Sequence, residues 1–228
     1  NTILGFGLDK YTKEPKIKGN KLVWEEGAKK SLNESIIRKV SNPFQLKSGL
    51  RMMSGNIGRA VMKVSAIDTN NMIINAEAIV FEEQEDLIKA FKNNELDKDF
   101  IAVLPFQGPK QNGMPELHQL TPTLTILQRR GFKVGLITDG RMSGASGKIP
   151  AAIHVVPEAR DGGLISKIKS GDIILMNAIT GELKCMNQDV INRTIRKKDN
   201  SNVFGLGREL FFNMRAQVSS SEEGASFL

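Results

Sequence analysis

The chain contains only one cysteine, Cys185, among its 228 residues. It therefore has no intramolecular disulfide, and it cannot by itself supply the thiolate ligands of an iron–sulfur cluster or a structural zinc site. A chain of this length can bury a sizeable core without such cross-links. We predict a reducing, cytoplasmic location, and we predict that Cys185 is a small buried apolar side chain beside Met186.

Aromatic residues and long apolar runs are also scarce. Trp, Tyr and Phe make up only 6% of the residues, and the densest basic run, Arg193–Lys198, contains no aromatic residue. A nucleic-acid platform interleaves basic and aromatic side chains, so we predict no nucleic-acid partner. The longest apolar runs, such as Ile101–Leu104 and Ile173–Met176, are far shorter than a bilayer span, so we predict no membrane partner either.

Positive charge, in contrast, is in excess. The 32 Lys and Arg residues outnumber the 25 Asp and Glu residues, which gives a formal net charge of +7. Long-range attraction therefore favours an anionic partner. A phosphorylated small substrate accounts for this excess more economically than a nucleic acid does.

The spacing of apolar residues predicts a strand-rich α/β fold. Between Trp24 and Val40 apolar residues recur every fourth position, which predicts a helix. Alternation predicts two strands, Ala60–Ala66 and Met72–Phe81, joined as a hairpin. The other predicted helices are Glu85–Asn93, Thr121–Gly131 and Leu206–Val218, and the other predicted strands are Phe100–Phe106, Phe132–Thr138, Ile153–Val156, Ile173–Asn177 and Leu183–Met186.

No repeat and no linker divides the chain, so we predict that residues 1–228 form a single domain. Helical patterns lie at both ends and between some of the strands. A curled sheet or barrel with helices packed outside fits this order better than a regular βαβ array. The sequence begins at Asn1 rather than Met, so we expect it to be a piece of a longer protein.

Two loops that follow predicted strands carry the reactive side chains. The first runs from Gln107 to Glu116 and the second from Thr138 to Lys148. Functional loops concentrate at such strand ends because a rigid scaffold holds them. The glycines of the second loop free its backbone to approach a ligand, and its serines and cations could meet an anion. It lacks the Gly-Lys-Ser/Thr ending of a nucleotide P-loop, and spacing alone leaves open a glycine-rich surface turn without function.

The sequences of these loops are similar to those of a known enzyme family. The segments GPKQNGMPELH (108–118), TDGRMSGASGK (138–148) and AIHVVPEA (152–159) closely resemble the C-terminal part of the dihydroxy-acid dehydratase/6-phosphogluconate dehydratase family. The resemblance covers essentially the whole chain. The segments SGNIGRAVMK (54–63) and SGASGK (143–148) resemble the phosphogluconate branch, whereas the dihydroxy-acid branch usually carries an Ala-Pro version of the first and a Gly-Gly-Thr continuation in the second.

The resemblance implies a hydro-lyase that removes water from a sugar acid, with an iron–sulfur cluster as the Lewis acid on the departing 3-hydroxyl. In the phosphogluconate branch 6-phosphogluconate becomes 2-dehydro-3-deoxy-6-phosphogluconate, a reaction of the Entner–Doudoroff pathway. Family members bind the cluster through cysteines of an N-terminal domain, which this sequence does not contain. The resemblance thus implies a C-terminal domain similar to the swivelling β-barrel domain of aconitase-like enzymes. We expect it to be inactive alone and to belong to a full-length homodimer.

The resemblance also implies roles for individual residues. Ser143 aligns with the family serine that takes the proton from carbon 2, a role that needs a nearby cation to favour the alkoxide. Glu116 falls where the family supplies a carboxylate to Mg²⁺. One carboxylate binds Mg²⁺ weakly, so the remaining ligands would come from the N-terminal domain. A favourable charge at a helix N-terminus is the alternative for Glu116.

The substrate contacts are expected from two groups of residues. A dianion calls for cations and well-aimed donors, which Arg141, Ser146 and Lys148 could supply to its carboxylate or phosphate. Asn56 and Arg59 belong to the other glycine-containing segment and are expected to face the same ligand. His154 lies in an apolar run, so a core histidine is the alternative to an active-site contact.

Other functions stay open at this point. The chain could belong to a dihydroxy-acid or other aldonate dehydratase, or it could be a stand-alone sugar-acid or anion-binding module that has lost the chemistry. The motif serine Ser143 and carboxylate Glu116 favour an enzyme. A basic nucleic-acid binder is disfavoured by the low aromatic content.

Overall fold

The computed structural model describes residues 2–3, 5–8, 11–44, 46, 48–142, 147–198 and 205–228. Internal contacts divide the chain into two compact units, Asn1–Lys47 and Ser48–Leu228. Each unit is described by itself, and the single domain expected from the sequence stays a prediction. Within the described ranges, no helix is long and apolar enough to cross a membrane.

The first unit contains an antiparallel hairpin of β1 (Lys13–Lys18) and β2 (Lys21–Glu26). Gly19 and Asn20 form its two-residue turn, and both have positive φ, +53° and +62°. This is the backbone that the twist of a short hairpin requires, and Gly and Asn adopt it readily.

The helix predicted from Trp24 to Val40 is wrong. Trp24 lies in β2 opposite Pro15, and residues 27–44 form turns and bends. Leu32 and Val40, two of the residues that set the fourfold spacing, are 92% and 97% exposed. A helical spacing of apolar residues stabilises a helix mainly by burying one face, and here that face is not buried.

The second unit is built from eight strands: β3 (Leu50–Gly55), β4 (Gly58–Lys63), β5 (Ile73–Val80), β6 (Phe100–Leu104), β7 (Val134–Thr138), β8 (Ala151–Val156), β9 (Ile173–Asn177) and β10 (Glu182–Cys185). They close into a mixed barrel in the order β10-β3-β4-β8-β7-β6-β5-β9. The predicted strand-rich α/β class with a barrel-like sheet is confirmed.

The hairpin predicted between Ala60–Ala66 and Met72–Phe81 is wrong, although both strands exist. β4 pairs with β3 and β8, whereas β5 pairs with β6 and β9. Alternation identifies the buried face of a strand but not its neighbour in the sheet. β9 and β10 do form a hairpin, and in its turn Gly181 donates its backbone N–H to the carbonyl of Asn177 at 2.8 Å.

In the part of the second unit that the structure describes, four α-helices accompany the barrel: α1 (Gln84–Lys92), α2 (Pro109–Asn112), α3 (Leu120–Arg129) and α4 (Phe212–Gln217). The predicted helix Glu85–Asn93 is confirmed as α1, and Thr121–Gly131 as α3, which begins one residue earlier than predicted. The predicted helix Leu206–Val218 is interrupted. A 3-10 turn at Arg208–Phe211 precedes α4, and the left-handed backbone of Gly207, with φ of 79°, stops a longer helix.

Alternate residues of β6 build two cores. Ile101 and Val103 point into the barrel, whereas Phe100, Ala102 and Leu104 pack outward with the apolar residues of α1 and α3. All five residues of β6 are buried. This burial on both faces is typical of parallel strands covered by helices and explains the continuous apolar run in the sequence.

β5, β6, β7 and β8 are neighbours and parallel, so their carboxyl ends meet at one edge of the barrel. We call this edge, where the four strands end at Val80, Leu104, Thr138 and Val156, the carboxyl edge. β4 runs antiparallel to β8, with Arg59 opposite Val156. The turn between β3 and β4 therefore lies at the same edge.

Candidate functional site

Both loops singled out in the sequence start at the carboxyl edge. The first follows β6 and the second follows β7, and these strands are adjacent and parallel. The loops are joined directly by a parallel bridge between Glu116 and Arg141. The backbone N–H of Leu117 donates to the carbonyl of Arg141 at 3.0 Å.

Arg141 is held over the first loop by its side chain. Its Nε donates to the carbonyl oxygen of Met114 at 2.9 Å, and its Nη1 lies 3.7 Å from Glu116 Oε2. Their side chains are 49% and 33% exposed, so their mutual attraction is weak. A cation and a carboxylate thus stand side by side, accessible to a ligand.

Ser143 and Ser146 lie in the segment 143–146, outside the described residues. Their roles as proton acceptor and substrate contact stay predictions.

His154 lies beside the second loop, at an irregular point of β8. The pairing of β4 with β8 shifts register between Arg59 and Val61, and His154 has φ of +57° there. Its backbone N–H donates to the carbonyl of Gly140 at 2.9 Å. Burial, together with the positive charge of Arg141, lowers the pKa of the imidazole. Bulges and such strained conformations are common next to functional sites.

Asn56 and Arg59 lie at the same edge but have partners of their own. The Asn56 amide binds the backbone of Cys185 twice, donating from Nδ2 to its carbonyl at 2.8 Å and accepting its N–H at 2.9 Å. These bonds hold the β3–β4 turn against the end of β10. Arg59 forms an ion pair with Glu222.

Lys148 is not brought together with Arg141. Its carbonyl accepts a hydrogen bond from Gln128 Nε2 at 3.5 Å, near the C-terminal end of α3, whereas Arg141 contacts the chain just before the first residue of that helix. A ten-residue helix spans about 15 Å. Lys148 therefore lies toward the opposite end of the barrel. His118 is exposed at the start of the same helical segment.

Sequence reasoning missed Asp139, which is fully buried. Its carboxylate accepts backbone N–H groups of Phe106 at 3.2 Å, Gln107 at 2.8 Å and Ala159 at 2.8 Å. It thereby joins the chain segments that follow β6, β7 and β8. Burial raises the pKa of Asp139, and the three N–H donors act in the opposite direction. Its position directly after a buried strand was the available signal.

Glu158 was missed as well. It is 4% exposed, and its Oε1 accepts the backbone N–H of Lys110 at 3.2 Å. Its Oε2 is buried without a hydrogen-bond partner in the part of the chain that the structure describes. Burial, reinforced by the charges of Asp139 and Asp161, raises the pKa of Glu158 to about 7. The Pro-Glu pair after β8 was its sequence signal.

The resemblance implies two metal groups, Mg²⁺ and an iron–sulfur cluster, and each needs several ligand side chains close together. Among the described residues, no three His, Cys, Asp or Glu side chains converge to hold a metal ion, and the one carboxylate Glu116 faces the cation Arg141. Cys185 is free and buried in the barrel core, as predicted. Burial raises the pKa of its thiol, which disfavours the thiolate that a cluster needs. The described residues do not by themselves fit either group.

Comparisons with known proteins agree on the origin of this barrel. The profile of a family described as dihydroxy-acid/6-phosphogluconate dehydratase C-terminal matches residues 35–225. The chain is 50% identical to a phosphogluconate dehydratase of Pseudomonas aeruginosa over 98% of its length. The corresponding identities are 49% over 99% of the chain for Escherichia coli strain K12 and 46% over 98% for Zymomonas mobilis. It spans only 37% or 38% of the length of these relatives. The chain belongs to the dihydroxy-acid/6-phosphogluconate dehydratase C-terminal family.

Proposed function

We propose that this chain is the C-terminal barrel domain of a hydro-lyase that converts 6-phosphogluconate to 2-dehydro-3-deoxy-6-phosphogluconate. The observation that carries this proposal is the joining of the two motif loops at the carboxyl edge through Arg141 and Glu116. Identity of about half to relatives named phosphogluconate dehydratase supports the substrate. The positive net charge of +7 suits an anionic sugar acid.

Ser143 is the proposed base. Its alkoxide accepts the proton from carbon 2, and the electron pair of that bond forms the double bond between carbons 2 and 3. The 3-hydroxyl takes up a proton from solvent and leaves as water, and Ser143 returns its proton to solvent. The enol then gains a proton at carbon 3 and loses the proton of its 2-hydroxyl, which gives the 2-keto acid. The guanidinium of Arg141 precedes Ser143 by two residues. Its charge favours both the alkoxide and the bound substrate carboxylate.

The remaining residues at this edge support that reaction. The imidazole of His154 is neutral because its pKa is lowered. It can therefore accept a hydrogen bond from a substrate hydroxyl or donate one to it. Asn56 and Arg59 are proposed to border the same ligand. Glu116 contributes at most one ligand to Mg²⁺. The iron–sulfur cluster and the other Mg²⁺ ligands are proposed to belong to an N-terminal domain, and no step is assigned to either group.

The cellular setting rests on the sequence. We propose a cytoplasmic enzyme of the Entner–Doudoroff pathway that is a homodimer at full length. The relatives are named phosphogluconate dehydratase, which supports the dehydratase activity. The location and the dimer rest on the composition and the family resemblance.

The experiment that tests this function is Ser143→Ala in the full-length protein. We expect 2-keto acid formation from 6-phosphogluconate to fall by at least about a hundredfold, because general-base catalysis typically contributes that much. Thermal stability should hardly change, since loss of one loop hydroxyl removes little packing. Ser65→Ala, at an exposed serine beyond the opposite end of β4, is the matched control and should retain full activity.

Two results would contradict the proposal. Activity of Ser143→Ala within a few-fold of the wild type would assign proton removal to another group. If the wild type turns over a 2,3-dihydroxy acid but not 6-phosphogluconate, the chain belongs to an enzyme of the other branch.

A further inference from the structure

A strongly basic cavity of about 430 Å³ lies beside the first loop at the carboxyl edge. Among the described residues, its lining includes four cations, Arg160, Arg196, Lys197 and Lys198, and one carboxylate, Asp161. None of these residues carries a role in the reaction described above. Their sequence positions fall into two groups more than thirty residues apart, which the barrel brings together.

Arg196 is fixed in this cavity with one donor left over. Its Nε donates to the carbonyl of Ser166 at 3.1 Å and its Nη1 to Glu82 Oε1 at 2.6 Å. Its guanidinium carbon lies 5.9 Å from the centre of the Phe106 ring. Nη2 is buried and has no hydrogen-bond partner among the residues that the structure describes. The two hydrogen bonds hold the positive charge of Arg196 at the cavity wall, where it attracts an anion.

The surrounding charges leave room for a dianion. Arg160 donates to the carbonyl of Lys110 at 2.7 Å, and Lys110 pairs with Asp161 at 2.5 Å. Glu82 pairs with Arg196, and Glu83 pairs with Lys198. Arg160 and Lys197 have no carboxylate within ion-pair distance among the described residues. These two cations of the lining match the charge of a phosphate monoester, about −2 at neutral pH.

The first loop borders both the cavity and the candidate site. Phe106 and Gln111 line the cavity, and Glu116 ends the same loop. The Phe106 backbone is held by Asp139, which directly precedes Gly140 and Arg141 in the second loop. The cavity and Arg141 thus lie against the same loop. Lys148 lies toward the opposite end of α3 and has no such connection.

We propose that this cavity, through Arg160, Arg196, Lys197 and Lys198, binds a phosphate monoester dianion. Resting on the proposed function, that dianion is the phosphate group of the sugar-acid substrate. The carboxylate end of the substrate then lies at Arg141.

The test uses steady-state kinetics of the full-length enzyme with 6-phosphogluconate. We expect Arg196→Ala and Arg160→Gln each to raise KM by about ten- to a hundredfold, because charge-assisted contacts to a dianion are lost. The value of kcat should change little. Lys89→Ala, at a well-exposed lysine on α1, is the control for removal of one positive charge and should leave KM unchanged.

A second measurement separates this site from the proposed reaction. Calorimetry with inorganic phosphate should show binding to the wild type and at least about tenfold weaker binding to Arg160→Gln and Lys197→Ala. We expect this difference in phosphate binding even if the enzyme does not dehydrate 6-phosphogluconate. Absence of dehydration would contradict the proposed function but not the phosphate site. Arg160 and Lys197 are exposed, so their variants remain testable if Arg196→Ala does not fold.

Three outcomes would overturn the inference. One is equal phosphate binding by the wild type and by both exposed-residue variants. Another is a KM for 6-phosphogluconate that rises in Lys148→Ala but not in Arg160→Gln. The third is an equal rise in the inhibition constant of unphosphorylated gluconate, which would mean that the cavity does not recognise the phosphate.

Discussion

Glu158 is a buried carboxyl group whose protonation is linked to stability. Burial raises its pKa to about 7, from an ordinary value of 4.5. The folded state therefore binds the proton more tightly than the unfolded state does. The resulting stabilisation is complete below the unfolded pKa and is lost as pH rises through the folded pKa.

We therefore expect the full-length protein to unfold more easily as pH rises from about 5 to about 8. The contribution of Glu158 to the free energy of unfolding is at most about 3 kcal/mol over this window. Thermal unfolding as a function of pH measures it. Glu158→Gln should flatten the profile, whereas Glu95→Gln, at an exposed carboxylate, should not. A profile that keeps its slope in Glu158→Gln would assign the titration to another group.

The loop after β6 depends on a close approach between Gly108 and Glu158. A Cβ atom at residue 108 would lie 2.0 Å from Glu158 Oε2, much closer than atoms in contact can come. Gly108 has φ of −70°, so the constraint is the missing side chain and not a left-handed backbone. The element α2 thus fits the barrel edge only because residue 108 is glycine.

Gly108→Ala should lower the free energy of unfolding by about 1–3 kcal/mol, the usual cost of overpacking a buried position. Glu158→Ala removes Oε2 and Cδ, which lie 2.0 and 2.8 Å from that Cβ position, and leaves only its own Cβ at 3.0 Å. In this background Gly108→Ala should therefore cost at least about 1 kcal/mol less. Denaturant unfolding of the four proteins in this double-mutant cycle measures the coupling. Additive effects of the two changes would show that Glu158 does not restrict residue 108.

Most strands of the barrel were predictable from local pattern. β6 and β7 are buried on both faces and gave continuous apolar runs, β4 and β5 gave alternation, and α1 and α3 gave buried apolar faces. β3 was missed because consecutive Met52 and Met53 hide its alternation, and Met52 is 56% exposed. β2 was assigned to a helix because Trp24 continues a fourfold spacing. Local pattern records burial, whereas the strand order around a closed barrel depends on all eight strands together.

At the scale of the whole molecule, the barrel closes without residues outside the second unit, because β9 pairs with both β5 and β10. We expect the 228-residue chain produced alone to fold cooperatively but to show neither cluster absorbance nor dehydratase activity, since one buried cysteine cannot hold a cluster. Circular dichroism, visible absorbance and assay with 6-phosphogluconate check this. Turnover by the isolated chain, free of full-length contaminant, would refute the division of the site between domains.

The candidate site was predictable where its residues are contiguous in sequence. The two motif loops could be located because each follows a recognisable strand. Their sequence resemblance to the family identified Glu116 and Arg141. The basic cavity could not be found in this way. Its cations come from residue 160 and residues 196–198, and the second group looked like an ordinary solvated run. Only the closed barrel brings residues so distant in sequence into one cavity.

The triple acceptor Asp139 also has a mechanical consequence. Phe106, Gln107 and Ala159 all donate to one carboxylate. A shift of one segment must therefore either break its own hydrogen bond or displace the acceptor of the other two. We therefore expect the segments at Phe106, Gln107 and Ala159 to move together, if at all, when a ligand binds. Ligand selectivity at the carboxyl edge then depends on a preorganised shape and charge pattern and not on induced fit of separate loops.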